Sequence, residues 1–174
     1  MQQAYTFHQL LNEQINDLYS AEEQIAFAIP KIINVTSSGE LRNAFETYAL
    51  EINHHIENLD SVLKEVKISP KGNLCPAMTG IIEAAEDIIH HGGNSAVKDA
   101  ALIAVIQRLI HYKIAVYGTT RTFCRHLNYN KSLNLLQQAL NQEGEMDHQL
   151  TKLAEGGIFT TGINEEACRA KTLI

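Results

Sequence analysis

Apolar residues recur at helical spacing along most of the chain. Leu11, Ile15, Leu18, Ile25 and Ile29 fall on one face, and this period predicts a first helix from about Thr6 to Ile33, with Pro30 as an internal kink or a break. Thr36-Ser37-Ser38-Gly39 reads as a turn, with Ser38 placed to cap the next helix. Phe45, Ala49, Ile52, Ile56, Leu59 and Leu63 form the face of that second helix, and Ser69-Pro70-Lys71-Gly72-Asn73 stops it. A shorter helix is predicted from about Pro76 to His90, because proline is a favourable first-turn residue. His90-His91-Gly92-Gly93-Asn94-Ser95 is a loop, in which the paired histidines read as solvated rather than as ligands. A third long helix runs from near Ser95 to about Leu127. Asn128-Tyr129-Asn130 turns the chain, and a fourth long helix ends at Gly156-Gly157.

Four long helices with a long connection between the second and third match one architecture. It is an all-α, ferritin-like antiparallel four-helix bundle with an extra short helix in that connection. The bundle takes residues 1–157. The tail, 158–174, holds threonine and glycine early and a short helix-capable stretch later, and is expected to lie on the bundle or to be mobile.

Composition narrows the function classes. At 174 residues with three prolines, the chain fits one largely helical domain with a substantial core. It has no run of about 18 consecutive apolar residues, and the Met1-Gln2-Gln3-Ala4-Tyr5 start lacks a basic flank, so neither a membrane span nor a signal peptide is expected. The net charge of −6 and the lack of a basic stripe argue against a nucleic-acid partner. Cys75, Cys124 and Cys168 are odd in number and far apart, which fits a cytoplasmic chain with no zinc spacing and no disulfide framework.

Charges interrupt the apolar stripes. Glu22 follows Leu18 and precedes Ile25; Glu143 and Asp147 stand between Leu140 and Leu150; Glu51 and His55 lie at the edge of the second helix's stripe. The spacing from Glu51 to His55 and from Glu143 to Asp147 is the same, a weak two-fold pattern between the halves. The third helix differs, since Ile106 and Leu109 lead to Lys113. Burying several ionisable groups is costly unless they pair with one another or with a metal. Glu22, Glu51, His55, Glu143 and Asp147 are therefore candidate ligands, and carboxylates with an imidazole suit iron or manganese. A cation beside two divalent ions is repelled, so Lys113 argues for none or one iron or manganese ion, or for a metal-free core in which Lys113 pairs with the carboxylates. His54 has the i,i+3 spacing to Glu51 usual in such bundles, but it lies far from the stripe. His55 lies about 60° from the stripe's centre and is favoured as the inward group. Tyr19, Tyr112 and Tyr117 fall near the same level, and Cys124 continues the third stripe as a small core residue. No catalytic residue is assigned.

Several segments resemble the YciE/YciF family of bacterial ferritin-like proteins, over about His8 to Ala154. They are Leu18-Tyr19-Ser20-Ala21-Glu22, Cys75-Pro76-Ala77-Met78 with Gly80-Ile81-Ile82, and Asp99-Ala100-Ala101-Leu102-Ile103-Ala104 with His111-Tyr112 and Tyr117-Gly118-Thr119. The resemblance implies a ferritin-like bundle, a homodimer and a link to stress responses, without an established reaction. It places the carboxylate site on Glu22, Glu51 and Glu143, with position 55 and Asp147 as accessories. Relatives typically read Glu-His-Tyr-Glu where this chain reads Ile110-His111-Tyr112-Lys113. Three functions follow as expectations: a stress-associated cytoplasmic protein with a partly lost carboxylate metal site, an iron- or manganese-dependent oxidase or peroxidase, and a helical adaptor for a protein partner.

Overall fold

The computed structural model describes residues 5–70, 72–158 and 160–170. Helix α1 spans Phe7–Val35, α2 Gly39–Val66, α3 Pro76–His90, α4 Ser95–His126 and α5 Asn130–Glu155. Two-residue strands β1 (Gly156–Gly157) and β2 (Thr160–Thr161) and helix α6 (Ile163–Arg169) complete the order. Helices α1, α2, α4 and α5 are the long members of a ferritin-like bundle. The pairs α1–α2 and α4–α5 are each joined by a short turn, and α2 packs on α5 and α1 on α4. The connecting helix α3 lies against α1 and α4.

Local chemistry sets the helix ends. Thr6 and Gln9 form a reciprocal capping box at the start of α1. The Ser38 side chain accepts from the Leu41 amide at the start of α2, and Asn94 accepts from Ala96 and Val97 at the start of α4. Helix α5 has no side-chain cap of its own at Tyr129. Glu65 of α2 supplies one across the bundle, accepting from the Lys131 amide at 3.3 Å and the Ser132 amide at 2.6 Å. Asp99 of α4 does the same for the α1–α2 turn, accepting from the Ser37 and Ser38 amides at 2.9 and 2.7 Å.

Two details refine the sequence reading. Pro30 does not end α1, which continues to Val35 and closes where Thr36 bonds back to Ile32 and Ile33. The chain also contains a sheet, though a minimal one: β1 pairs antiparallel with β2 in the tail, away from the bundle core. Glycine is required there, since Gly156 has a positive φ and a Cβ on it would meet Gly162 N at 2.4 Å. The tail then folds back as α6, which packs on α4 and α5 with Ile163 buried.

Apolar side chains form two clusters at successive levels of the bundle. One holds Leu11, Ile15, Leu18, Leu59, Val62 and Leu136 among others. The other holds Ile25, Ile29, Phe45, Ile52, Ile106 and Leu150 among others. Each of the four long helices changes from one cluster to the other near its middle. Among the described residues, α4 alone is long and apolar enough to cross a membrane, and half of that apolar stretch is buried within the bundle.

Candidate functional site

Between the two apolar clusters lies a polar layer to which each long helix gives one charged or ionisable side chain. Glu22 comes from α1, His55 from α2, Lys113 from α4 and Glu143 from α5, and all four are 0% exposed. Their positions follow from the stripes: each occupies the core-facing slot between apolar neighbours one turn before and one turn after it.

Lys113 stands at the centre. Its Nζ lies 2.9 Å from Glu22 Oε2 and 2.6 Å from Glu143 Oε1, and it donates to the Tyr48 hydroxyl at 3.2 Å. Tyr48 in turn donates to Glu143 Oε2 at 2.8 Å, and Tyr117 donates to Glu22 Oε1 at 2.5 Å. His55 Nδ1 is 3.3 Å from Glu22 Oε1 and 3.4 Å from Glu143 Oε1. On its other edge, His55 Nε2 meets the side-chain oxygen atom assigned to Gln142 at 3.2 Å. The ion-pair contacts are close but poorly directed as hydrogen bonds. Glu22 Oε2, Glu143 Oε1 and His55 Nδ1 have no well-angled hydrogen-bond partner despite being buried.

The charges interlock. Burial pushes Glu22 up, but Lys113, His55 and the Tyr117 hydroxyl together hold it below the ordinary carboxylate range. Burial outweighs the attraction of Lys113 at Glu143, helped by the like charge of Glu22, so this carboxyl is held above its ordinary value. Burial disfavours the Lys113 ammonium, yet two flanking carboxylates raise its pKa and keep it charged. Tyr48 and Tyr117 are pushed far up, by burial first and by the carboxylates second, so both act only as protonated donors.

Not every expected residue enters this layer. Glu51 is half-buried at its edge; burial raises its pKa and the nearby His55 and Lys113 partly offset that. It makes no ion pair with the four central groups among the described residues. Asp147 faces a different set, accepting from Gln107 at 3.1 Å and lying 3.3 Å from an exposed His111. Both lie at the edge of their helix's stripe, where a rotation of under one residue decides whether a side chain reaches the axis. His54 is exposed and pairs with Glu57. Tyr19 and Tyr112 turn to Asp60 and Asp17, outside the layer. The sequence reading sets Tyr48 beyond the stripe, on a dimer face, and does not point to Gln142; the structure brings both to the layer. Tyr48 falls three residues from Phe45 and four from Ile52, a spacing that could have placed it on the stripe; Gln142 carries no such signal.

Glu22, His55 and Glu143 could together hold one metal ion, because each offers a ligand atom within 4.8 Å of the others. Lys113 Nζ occupies that same space. Surface cavities of about 740, 450 and 430 Å³ are lined by other residues, and none of those linings includes a member of the layer.

Comparison with known proteins agrees with this architecture. Residues 6–167 match the family described as "Domain of unknown function (DUF892)". The chain belongs to this family. The match extends through the hairpin and most of α6, further than the motifs alone reach. Within reviewed proteins, the chain is 40% identical to protein YciF of Escherichia coli (strain K12) over 141 residues, 80% of this chain and 85% of YciF. The crystal structure of the E. coli stress protein YciF superposes with a TM-score of 0.83 at 36% identity, covering 86% of this chain and 95% of that one. YcfI of Rhodopseudomonas palustris gives the same TM-score at 32% identity, covering 88% and 98%. This DUF892 chain is thus a YciF-like, all-α ferritin-like protein, from a family whose activity is unknown.

Proposed function

We propose that this chain is a stress-associated cytoplasmic protein whose ferritin-like bundle has kept the shape of a carboxylate metal centre and given up its dinuclear chemistry. The observation that carries this reading is the position of Lys113 Nζ, 2.6 and 2.9 Å from the two carboxylates that would have to bridge two ions. A dinuclear centre does not fit this residue set. The layer offers two carboxylates and one imidazole, while a ferritin-like di-metal site draws on about six ligands. Glu51 and Asp147, the remaining candidates, are engaged or stand at the edge. Two divalent ions would also face an ammonium in a dry core, where such repulsion amounts to several kcal/mol. The stress link rests on the printed description of E. coli YciF as a stress protein.

The reading extends to assembly as a homodimer. Of Phe27, Ile32 and Tyr48, the apolar groups that the sequence places beyond a single stripe on the first two helices, Ile32 and Tyr48 are buried within the subunit at 2% and 0% exposure. Phe27 of α1 and Leu50 of α2 stay 77% and 66% exposed, with Phe7 at the start of α1 at 40%. A dimer of ordinary specificity buries about 1,200 Å² or more, and light scattering at micromolar concentration is expected to report twice the chain mass.

The test of the main reading is elemental analysis after anaerobic reconstitution with iron or manganese. At most one ion per chain is expected, with no metal-dependent consumption of oxygen or peroxide. Two ions per chain, with turnover, would replace this reading by the oxidase.

A further inference from the structure

We propose that Lys113 is a tethered cation filling an otherwise complete mononuclear site, so that one charge, and not a shortage of ligands, keeps a metal ion out. The inference deepens the reading above and rests on it. Three observations converge. First, Glu22, His55 and Glu143 come from three different helices, are fully buried, and leave Glu22 Oε2, His55 Nδ1 and Glu143 Oε1 without a well-directed hydrogen bond. Both oxygens stand at ion-pair distance from Lys113 Nζ, so removing that ammonium would leave buried polar atoms without a partner, a state rare in folded proteins.

Second, the spacing suits one small ion. Ligand bonds of about 2.0–2.2 Å in a tetrahedral site place neighbouring ligand atoms about 3.4 Å apart. His55 Nδ1 lies 3.3 Å from Glu22 Oε1, the oxygen that also accepts from Tyr117, and 3.4 Å from Glu143 Oε1. Lys113 Nζ stands 2.6 and 2.9 Å from carboxylate oxygens, so an ion in its place needs those side chains to close in by about 0.5 to 0.8 Å.

Third, each of the three ligands already has an outer partner that holds it. Tyr117 donates to Glu22, Tyr48 donates to Glu143, and Gln142 contacts the far nitrogen of His55. Metal ligands are oriented by such partners, and losing one typically costs about 10–100-fold in affinity. Charge explains the exclusion. A divalent ion added to a lysine ammonium and two carboxylates leaves a positive charge in a dry core, whereas the same ion without the ammonium is neutralised. An imidazole with two carboxylates suits a single borderline divalent ion, and zinc is the simplest probe because it has no redox chemistry.

The experiment compares the natural protein with Lys113→Met, which keeps the apolar stem and removes the charge. Both are stripped with chelator, titrated with zinc chloride and melted with and without zinc. Lys113→Met is expected to bind one zinc per chain at least about 100-fold more tightly than the natural protein and to melt at a higher temperature when zinc is present. Adding His55→Ala to Lys113→Met is expected to abolish both effects. Should Lys113→Met not fold without metal, refolding in zinc decides: zinc-dependent recovery supports the proposal, and failure of both Lys113→Met and Lys113→Gln to recover overturns it. One tightly bound zinc in the natural protein overturns it too, because Lys113 would then not compete with metal. So does a folded Lys113→Met that ignores zinc. Either result leaves the absence of a dinuclear centre standing, which only two ions per chain would remove.

Discussion

The polar layer and the apolar clusters on either side of it are built from the same four helices, yet they respond differently to damage. In the apolar clusters each side chain contributes through area removed from water and through contacts with many neighbours. Loss of one member is a local, graded injury. In the polar layer, Lys113 serves Glu22, Glu143 and Tyr48 at once. Its removal strands charges that have no other route to solvent. Similar depth therefore hides two kinds of dependence, one additive and one collective.

The largest expected effect breaks the collective layer. Metal-free Lys113→Met should lose about 3–5 kcal/mol, the cost typical of leaving buried charge without its partner, measured by urea unfolding at neutral pH. A loss below about 1 kcal/mol would erase the contrast, being what a surface ion pair costs. Next come single truncations in the apolar clusters. Leu59→Ala in one cluster and Ile29→Ala in the other should each cost about 2–5 kcal/mol and combine additively to within about 0.5 kcal/mol. Glu22→Gln with Lys113→Met should instead cost less than the sum of the two single losses by about 1 kcal/mol or more, because each removes the other's reason to be charged.

Acid sharpens the comparison further. Glu22 is held below its ordinary range, so its contribution is present above the unfolded carboxyl value of about 4.3 and is lost as pH falls through the lower folded value. The penalty of Glu22→Gln should shrink between pH 7 and pH 3, whereas that of Leu59→Ala should not; urea titrations at both pH values check this. The smallest effect lies outside both regions. Glu65→Gln weakens the borrowed cap of α5 and should cost about 1 kcal/mol. Burial opposes it, but bonds from Ser132 and Lys131 hold Glu65 below its ordinary value, so this cost should also fade in acid.

Much of the bundle was legible because its stripes are long and its caps conventional. Ser38 and Pro76 mark helix starts where the structure has them, and the third long helix begins at Ser95 as its loop implied. Pro30 left open a kink or a break, and α1 runs through it, with Ile29 and Ile32 buried on either side. The α5 start offered no local cap to read, since Glu65 acts on it from 66 residues away. At the site, Glu22, His55, Lys113 and Glu143 were visible as ionisable groups in or beside apolar stripes. Glu51 and Asp147 share that pattern less fully, and a helical wheel does not resolve whether a stripe-edge carboxylate turns to the axis or away. Tyr48 shows the converse: expected on a dimer face, it is buried, and its role as a bridge from Lys113 to Glu143 depends on which helices face each other.

The central claim is that an ammonium sits where metal would bridge the carboxylates. Crystals of the natural protein grown with manganese, with diffraction recorded on both sides of the manganese absorption edge, test it most directly. Density for Lys113 Nζ between Glu22 and Glu143 is expected, with no pair of anomalous peaks at that level of the bundle. Two anomalous peaks bridged by Glu22 and Glu143, with Lys113 turned away from both, would contradict it.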